Sequence, residues 1–349
     1  MNVKLSRHPN WAQYAVVVWS LIYGILGSYW AMGGAGFPFG ENDPRGHAMG
    51  SFLADLRADT GGAAVIFVGV VGTAVALAML RKWRNRIIRF VLLIFAWSTS
   101  VALILLVPDI RIMQNFAYAF MLYFDLFDWP VVHQILCIAG GFLWGTTALT
   151  FQRRTREACM KCGRTDAGQG AAPVAAIKWG KWVTYIAVVT ALPYGLVRLT
   201  WAAGIPIGVS DPTAINTQTL SESLIEAVLG ILPICGAILT LGLIQRWGEI
   251  FPRWCVFLAG KRVPIWFAVI PAALASVMLI VSGLKLWIHW FQEGSVTREN
   301  WGELGPGLFW LPWGISLGVA TLAYYLRRRS SCKHCGRREQ IAASLFSLK

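Results

Sequence analysis

The hexad Cys-x-x-Cys-Gly-Arg occurs twice in this chain of 349 residues, at 159–164 and at 332–337. Each copy follows a long apolar stretch and a run of arginines: Arg153, Arg154 and Arg156 before the first, Arg327, Arg328 and Arg329 before the second. The pairing extends to other landmarks in the same order. Trp11-x-x-Tyr14 returns as Trp182-x-x-Tyr185, and Tyr23-Gly24 with Trp30-Ala31 returns as Tyr194-Gly195 with Trp201-Ala202. Pro38-x-Gly40-x-x-Asp43-Pro44 matches Pro206-x-Gly208-x-x-Asp211-Pro212, and Ser100-Val101 matches Ser276-Val277. The offsets run from roughly 168 residues (Pro38 to Pro206) to roughly 176 (Ser100 to Ser276). A repeat of this kind governs any fold assignment. The sequence therefore reads as a tandem duplication, with residues 1–173 as the first unit and 174–349 as the second.

What each unit folds into follows from its solvent. Hydrophobic residues make up 56% of the chain and charged residues 14%, where a soluble domain carries about a quarter charged. Crossing the hydrocarbon takes about 20 mostly apolar residues as helix. Runs near 12–33, 62–80, 90–107, 131–151, 183–203, 223–244, 265–286 and 307–326 meet that requirement. They are continuous rather than alternating, so helices, which satisfy their own backbone in lipid, are expected over a barrel. The fold class expected is an all-α integral membrane protein with eight transmembrane helices, four per repeat.

Lysine and arginine concentrate at Lys4 and Arg7, and in 81–89, 153–181, 246–262 and 327–349; the alternate loops hold only Arg45, Arg57, Arg111 and Arg298. The positive-inside rule then predicts both termini and both cysteine motifs in the cytoplasm. An even number of spans per unit makes the two repeats parallel, related by an axis along the membrane normal. Basic inner loops facing anionic lipid account for the formal charge of +14 without nucleic acid. The expected location is the cell (plasma) membrane, multi-pass. The small residues of Ala31-Met-Gly-Gly-Ala35 resemble a signal cleavage site. Recurrence of the same segment as the fifth span argues that it is retained.

The cysteine pairs are the sharpest chemical signal. A CxxC puts two thiolates on one tight turn, and structural zinc takes four such ligands in a tetrahedron. Neither motif has a second pair nearby, so each repeat supplies half a site, and Cys159, Cys162, Cys332 and Cys335 are expected to converge on one structural zinc ion. Neighbouring arginines and lysines favour the thiolate. His334, between two ligands, is expected to point away. The competing readings are a reversible dithiol pair and an unliganded reduced motif. Cys137, Cys235 and Cys255 are isolated and read as small buried hydrophobes.

Ionisable residues in or beside spans are functional candidates. Arg198 lies in the fifth span, Glu222 and Glu226 open the sixth, Lys285 and His289 close the seventh, and His133 opens the fourth after Asp125 and Asp128. These six, Arg198, Glu222, Glu226, Lys285, His289 and His133, are candidates to line an outer cavity, against a plainer reading as interfacial side chains. Residues 112–128, rich in Phe and Tyr, are too short to span and read as an interfacial or re-entrant helix. Trp83 and Trp247 read as an inner aromatic belt, and Gly69, Gly72, Gly230, Gly236 and Gly242 as close helix contacts.

No phosphate loop, dinucleotide fingerprint or HExxH motif occurs, and no catalytic residue is assigned. The repeat architecture points toward a transporter or permease-type protein. The alternatives are a membrane scaffold or regulatory subunit docking a cytoplasmic protein partner, and a membrane thiol oxidoreductase. Nothing in the sequence sets the substrate or the oligomeric state.

Overall fold

The computed structural model describes residues 11–164, 171–253, 255–293, 296–329, 332 and 335, with the side chains of 171–178 and 292–293 not described. Eleven α-helices occur among these residues: α1 (Trp11–Ala31), α2 (Ala58–Leu80), α3 (Arg86–Val101), α4 (Arg111–Ala119), α5 (Trp129–Thr155), α6 (Ala171–Ala202), α7 (Pro212–Asn216), α8 (Leu220–Leu241), α9 (Ile265–Glu293), α10 (Trp301–Leu304) and α11 (Trp310–Arg328). A five-residue π-helical turn, Ala102–Leu106, extends α3. The described residues contain no strand beyond one antiparallel bridge, Ile250 to Arg262.

Eight of the described helical stretches are long and apolar enough to cross a membrane: Trp11–Ala31, Ala58–Leu80, Arg86–Leu106, Trp129–Thr155, Trp179–Ala202, Leu220–Leu241, Ile265–Phe291 and Trp301–Arg328. The chain forms two compact units, Met1–Asp109 with Asp128–Asp166, and Ile110–Phe127 with Ala167–Lys349. The aromatic segment that follows the third span thus groups with the second unit. Its helical part is only the nine residues of α4, which pack against α9.

In the first unit α1 and α2 form the tightest helix pair. Small residues allow it: a Cβ on Gly69 would sit 2.5 Å from Gly24 Cα, and one on Gly62 would sit 2.6 Å from the Ala31 nitrogen. Between apolar helices in lipid, such backbone approach supplies the dispersion contact that burial from water supplies elsewhere. The core of this unit gathers Val16, Tyr23, Met79, Leu92, Trp144 and Phe151. Across α3 and α5, Ser100 Oγ donates to the Gly141 carbonyl at 2.8 Å.

The second unit is built with the same devices. α6 and α8 meet where a Cβ on Gly195 would lie 2.8 Å from Gly230 O, and Ser276 Oγ on α9 donates to Gly314 O on α11 at 2.7 Å. Leu279, Trp313, Leu317 and Tyr324 centre its core. Pro193, Pro233 and Pro271 lie inside α6, α8 and α9, which membrane helices tolerate because neighbours re-satisfy the freed carbonyls.

Helix ends are set by local chemistry. Asn85 Oδ1 accepts from Ile87 N–H to cap α3, and Asp128 Oδ1 accepts from Val131 N–H to cap α5. Thr219 and Glu222 form a reciprocal capping box at the start of α8. Arginines lie in the last turn of both α5 and α11, where the helix dipole favours positive charge.

The two Pro-x-Gly-x-x-Asp-Pro segments are ordered turns. Gly40 (φ +65°) and Gly208 (φ +63°) occupy left-handed backbone where nothing larger fits: a Cβ would collide with Leu56 O and with Gly302 N, respectively. Asp43 O accepts from Gly46 N–H. Asp211 caps α7, accepting from the Thr213 amide at 2.9 Å and from the Thr213 hydroxyl. The hydroxyl bond first, and the amide bond with it, hold the Asp211 carboxyl below the usual carboxylate range.

Candidate functional site

The Sγ atoms of Cys159, Cys162, Cys332 and Cys335 all lie within 4.8 Å of one another, each thiol half-buried. Four thiolates bound tetrahedrally to one metal at about 2.3 Å would have their sulfurs about 3.8 Å apart. The observed spread is thus of the right scale for one ion held by all four. The donor set is soft, which suits zinc over magnesium or calcium.

The first cysteine pair is positioned by the end of α5. Arg156 closes the helix, Glu157 turns into left-handed backbone (φ +53°), and Ala158 N–H returns to Arg153 O at 2.9 Å. Gly163 N–H donates to Cys159 O at 2.7 Å, and Cys159 N–H donates to Arg164 O at 3.0 Å, closing a small ring around Cys162. Gly163 has φ +72°, and a Cβ there would press on Arg153 Nε at 3.2 Å. Arg153 also donates to Met160 O at 2.9 Å. A loop so braced presents both thiols on one turn. Cys332 and Cys335 are described; His334, Gly336 and Arg337 of the second motif lie outside the described residues, as do Lys4 and Arg7.

The arginines just before each motif lace the neighbouring helix ends. Arg154 donates to Leu80 O at the end of α2 (3.2 Å) and to Gln13 Oε1 on α1 (3.4 Å). In the second unit Arg327 donates to Leu243 O, just past α8, at 2.7 Å and pairs with Glu249 at 3.0 Å. These guanidiniums occupy the carbonyl ends that a helix leaves unsatisfied.

The structure gathers some of the ionisable candidates and separates others. Arg198 and Glu226 form an ion pair, Nη1 lying 2.8 Å from both carboxylate oxygens. The Arg198 guanidinium also lies over Tyr194 and Trp201, 5.0 and 4.9 Å from their ring centroids. Glu222, four residues before Glu226, instead serves the α8 capping box and is exposed. Lys285 is buried on α9, and His289, one turn on, lines a shallow depression with Leu286, Trp290, Val296, Leu304 and Leu308.

His133 belongs to the first unit and is buried there among aromatic rings. Trp129, Trp30, Tyr23 and Phe39 surround it at centroid distances of 4.6 to 6.5 Å, all roughly edge-on. Tyr23 Oη lies 3.2 Å from His133 Nδ1 and 3.9 Å from Cys137 Sγ. The second ring nitrogen, Nε2, is buried and has no hydrogen-bond partner. Tyr23 and Trp30 hold His133 much as their sequence counterparts Tyr194 and Trp201 hold Arg198.

Buried polar groups missed by the sequence reading complete the inventory. Asp109 Oδ2 accepts from Gln134 Nε2 at 2.8 Å, and Asp109 N–H donates back to Gln134 Oε1 at 3.2 Å, with both residues fully buried. Arg111 is buried as well. The available signal was an acid and a glutamine set in apolar surroundings. Two isolated cysteines depart from expectation: Cys235 is exposed and Cys255 half-buried, while Cys137 is buried as expected. Cys235 sits on a helix long and apolar enough to cross a membrane, and its exposure there is compatible with its hydrophobic character.

No protein-family model matches the chain, and comparison with curated proteins and with solved structures finds no match either.

Proposed function

We propose that this chain is a polytopic, permease-type membrane protein made of two parallel four-helix repeats, 1–173 and 174–349, clipped together by a structural zinc ion. The clip would be held by Cys159, Cys162, Cys332 and Cys335, on the cytoplasmic side of a plasma membrane, with anionic lipid against the basic loops. The clustering of the four sulfurs is the observation that carries this reading. Support for duplication comes from matched landmarks making matched contacts, such as Ser100 to Gly141 and Ser276 to Gly314. Support for a transport role is narrower: the Arg198–Glu226 pair and buried Lys285 lie within spans, where ionisable groups mark pathways more often than scaffold. Arg198 and Glu226, with Lys285, His289 and His133, remain the candidates for an outer cavity, and Glu222 the most peripheral of the set.

Two experiments test the two parts. Purified protein stripped with a strong chelator should lose thermal stability and regain it with Zn2+, since a site formed only on folding returns its binding energy as folding energy. Proteoliposomes challenged with a panel of labelled solutes should show flux that Glu226→Gln abolishes. Flux absent across the panel would favour the scaffold reading. Reversible oxidation of metal-free thiols coupled to a membrane electron acceptor would favour the oxidoreductase.

A further inference from the structure

The link between α8 and α9 is far longer than its counterpart. The first unit joins α2 to α3 through residues 81–85, whereas the second inserts residues 242–264. The insert is built rather than loose. Val263 N–H donates to Glu249 O at 2.9 Å, and Phe251 N–H donates to Lys261 O at 3.0 Å, while Gly260 N–H donates back to Phe251 O at 3.0 Å, making a short hairpin around the Ile250–Arg262 bridge. Its base is fastened to the end of α11: Tyr324 Oη donates to Gly248 O at 2.7 Å, and Arg327 pairs with Glu249.

The tip of this hairpin is the reverse of a solvent loop. Phe257 is 91% exposed and Val256 80%, with Leu258 beside them. Three exposed cations flank these residues, Arg253, Lys261 and Arg262, and none makes an ion pair among the described residues. The hairpin joins the ends of two spanning helices, so it lies where the chain leaves the hydrocarbon. Aromatic side chains collect at that level of a bilayer, and cations near its surface are drawn to anionic headgroups. Stable surface anchoring takes an apolar insertion and a basic patch together, and the hairpin carries both.

We propose that the hairpin 249–263 is a lipid anchor: Phe257 and Val256 insert into the headgroup–acyl boundary, and Arg253, Lys261 and Arg262 hold anionic phospholipid headgroups. Binding there holds the end of α11, through Tyr324 and Arg327, close to the membrane surface.

The test uses the full chain in nanodiscs of zwitterionic lipid with or without phosphatidylglycerol. A trifluoromethyl-phenylalanine replaces Phe257 by stop-codon suppression, leaving every cysteine in place. In anionic discs a lipid-confined nitroxide should broaden the fluorine signal several-fold more than an aqueous gadolinium chelate. The variant R253Q/K261Q/R262Q, which alters only exposed side chains, should reverse that preference, as should purely zwitterionic discs. The proposal is overturned if the aqueous reagent dominates in anionic discs, or if the triple variant leaves the preference unchanged. A signal shielded from both reagents overturns it too, since protein would then cover the tip.

Discussion

Arg198 on α6 meets Glu226 on α8 through one guanidinium nitrogen, 2.8 Å from each carboxylate oxygen, inside two helices long enough to span a bilayer. Tyr194 and Trp201, one turn to either side, present their ring faces to the same guanidinium. The charge is therefore neutralised by one partner and shielded from hydrocarbon by two others.

Removing one member of this pair leaves the other charge stranded. Glu226→Ala is expected to destabilise the protein by about 3 kcal/mol, the scale found for broken buried pairs. The double variant R198M/E226L should recover more than half of that loss. Unfolding in detergent measures both variants, and a double variant no more stable than Glu226→Ala would show that the pair is not coupled.

Ser100 and Ser276 make the same interhelical bond in the two units. Each Ser→Ala change should cost about 0.6 kcal/mol, the average for such bonds between membrane helices. The two losses should agree closely. A large loss at one position with none at the other would argue against equivalent roles.

Close helix approach gives a steric prediction. Gly69→Val would drive side-chain atoms into the backbone at Gly24, at an expected cost of about 1–3 kcal/mol for overpacking. Gly305→Ala meets nothing within 4 Å and should leave the melting temperature unchanged. A tolerant Gly69 would mean that α1 and α2 do not pack as closely as described.

The orientation rests on the lysine and arginine asymmetry. In a cysteine-free background, Glu41→Cys should react with an impermeant maleimide on intact cells. Arg84→Cys should react only after permeabilisation. The opposite pattern inverts the topology and puts both cysteine motifs on the outer side.

How far the sequence alone could reach varied with the physics involved. The spans were legible because a bilayer demands about 20 apolar residues in a row. Their ends were less so: the fourth helix was expected over 131–151 but runs Trp129–Thr155, extended by the Asp128 cap and by arginines suited to its last turn. The seventh was expected to stop at 286, near its charges, yet Lys285 and His289 lie within the continuing α9. Glu222, a candidate for the outer cavity, also caps α8, and the Thr219-x-x-Glu222 spacing of that capping box is visible in the sequence. The Tyr23–His133–Cys137 cluster had no such signal, since its members lie on two helices and Tyr23 and His133 are 110 positions apart. The cysteine cluster was legible because CxxC needs two further ligands and the repeat offered only one matching pair.

That cluster also carries the central claim, which metal content tests most directly. Elemental analysis of the purified full chain should find about one zinc per chain, as a four-thiolate tetrahedral site requires. The variant C159S/C162S should lose the metal and melt at a lower temperature. Zinc absent from the native protein, or retained in full by C159S/C162S, would contradict the account.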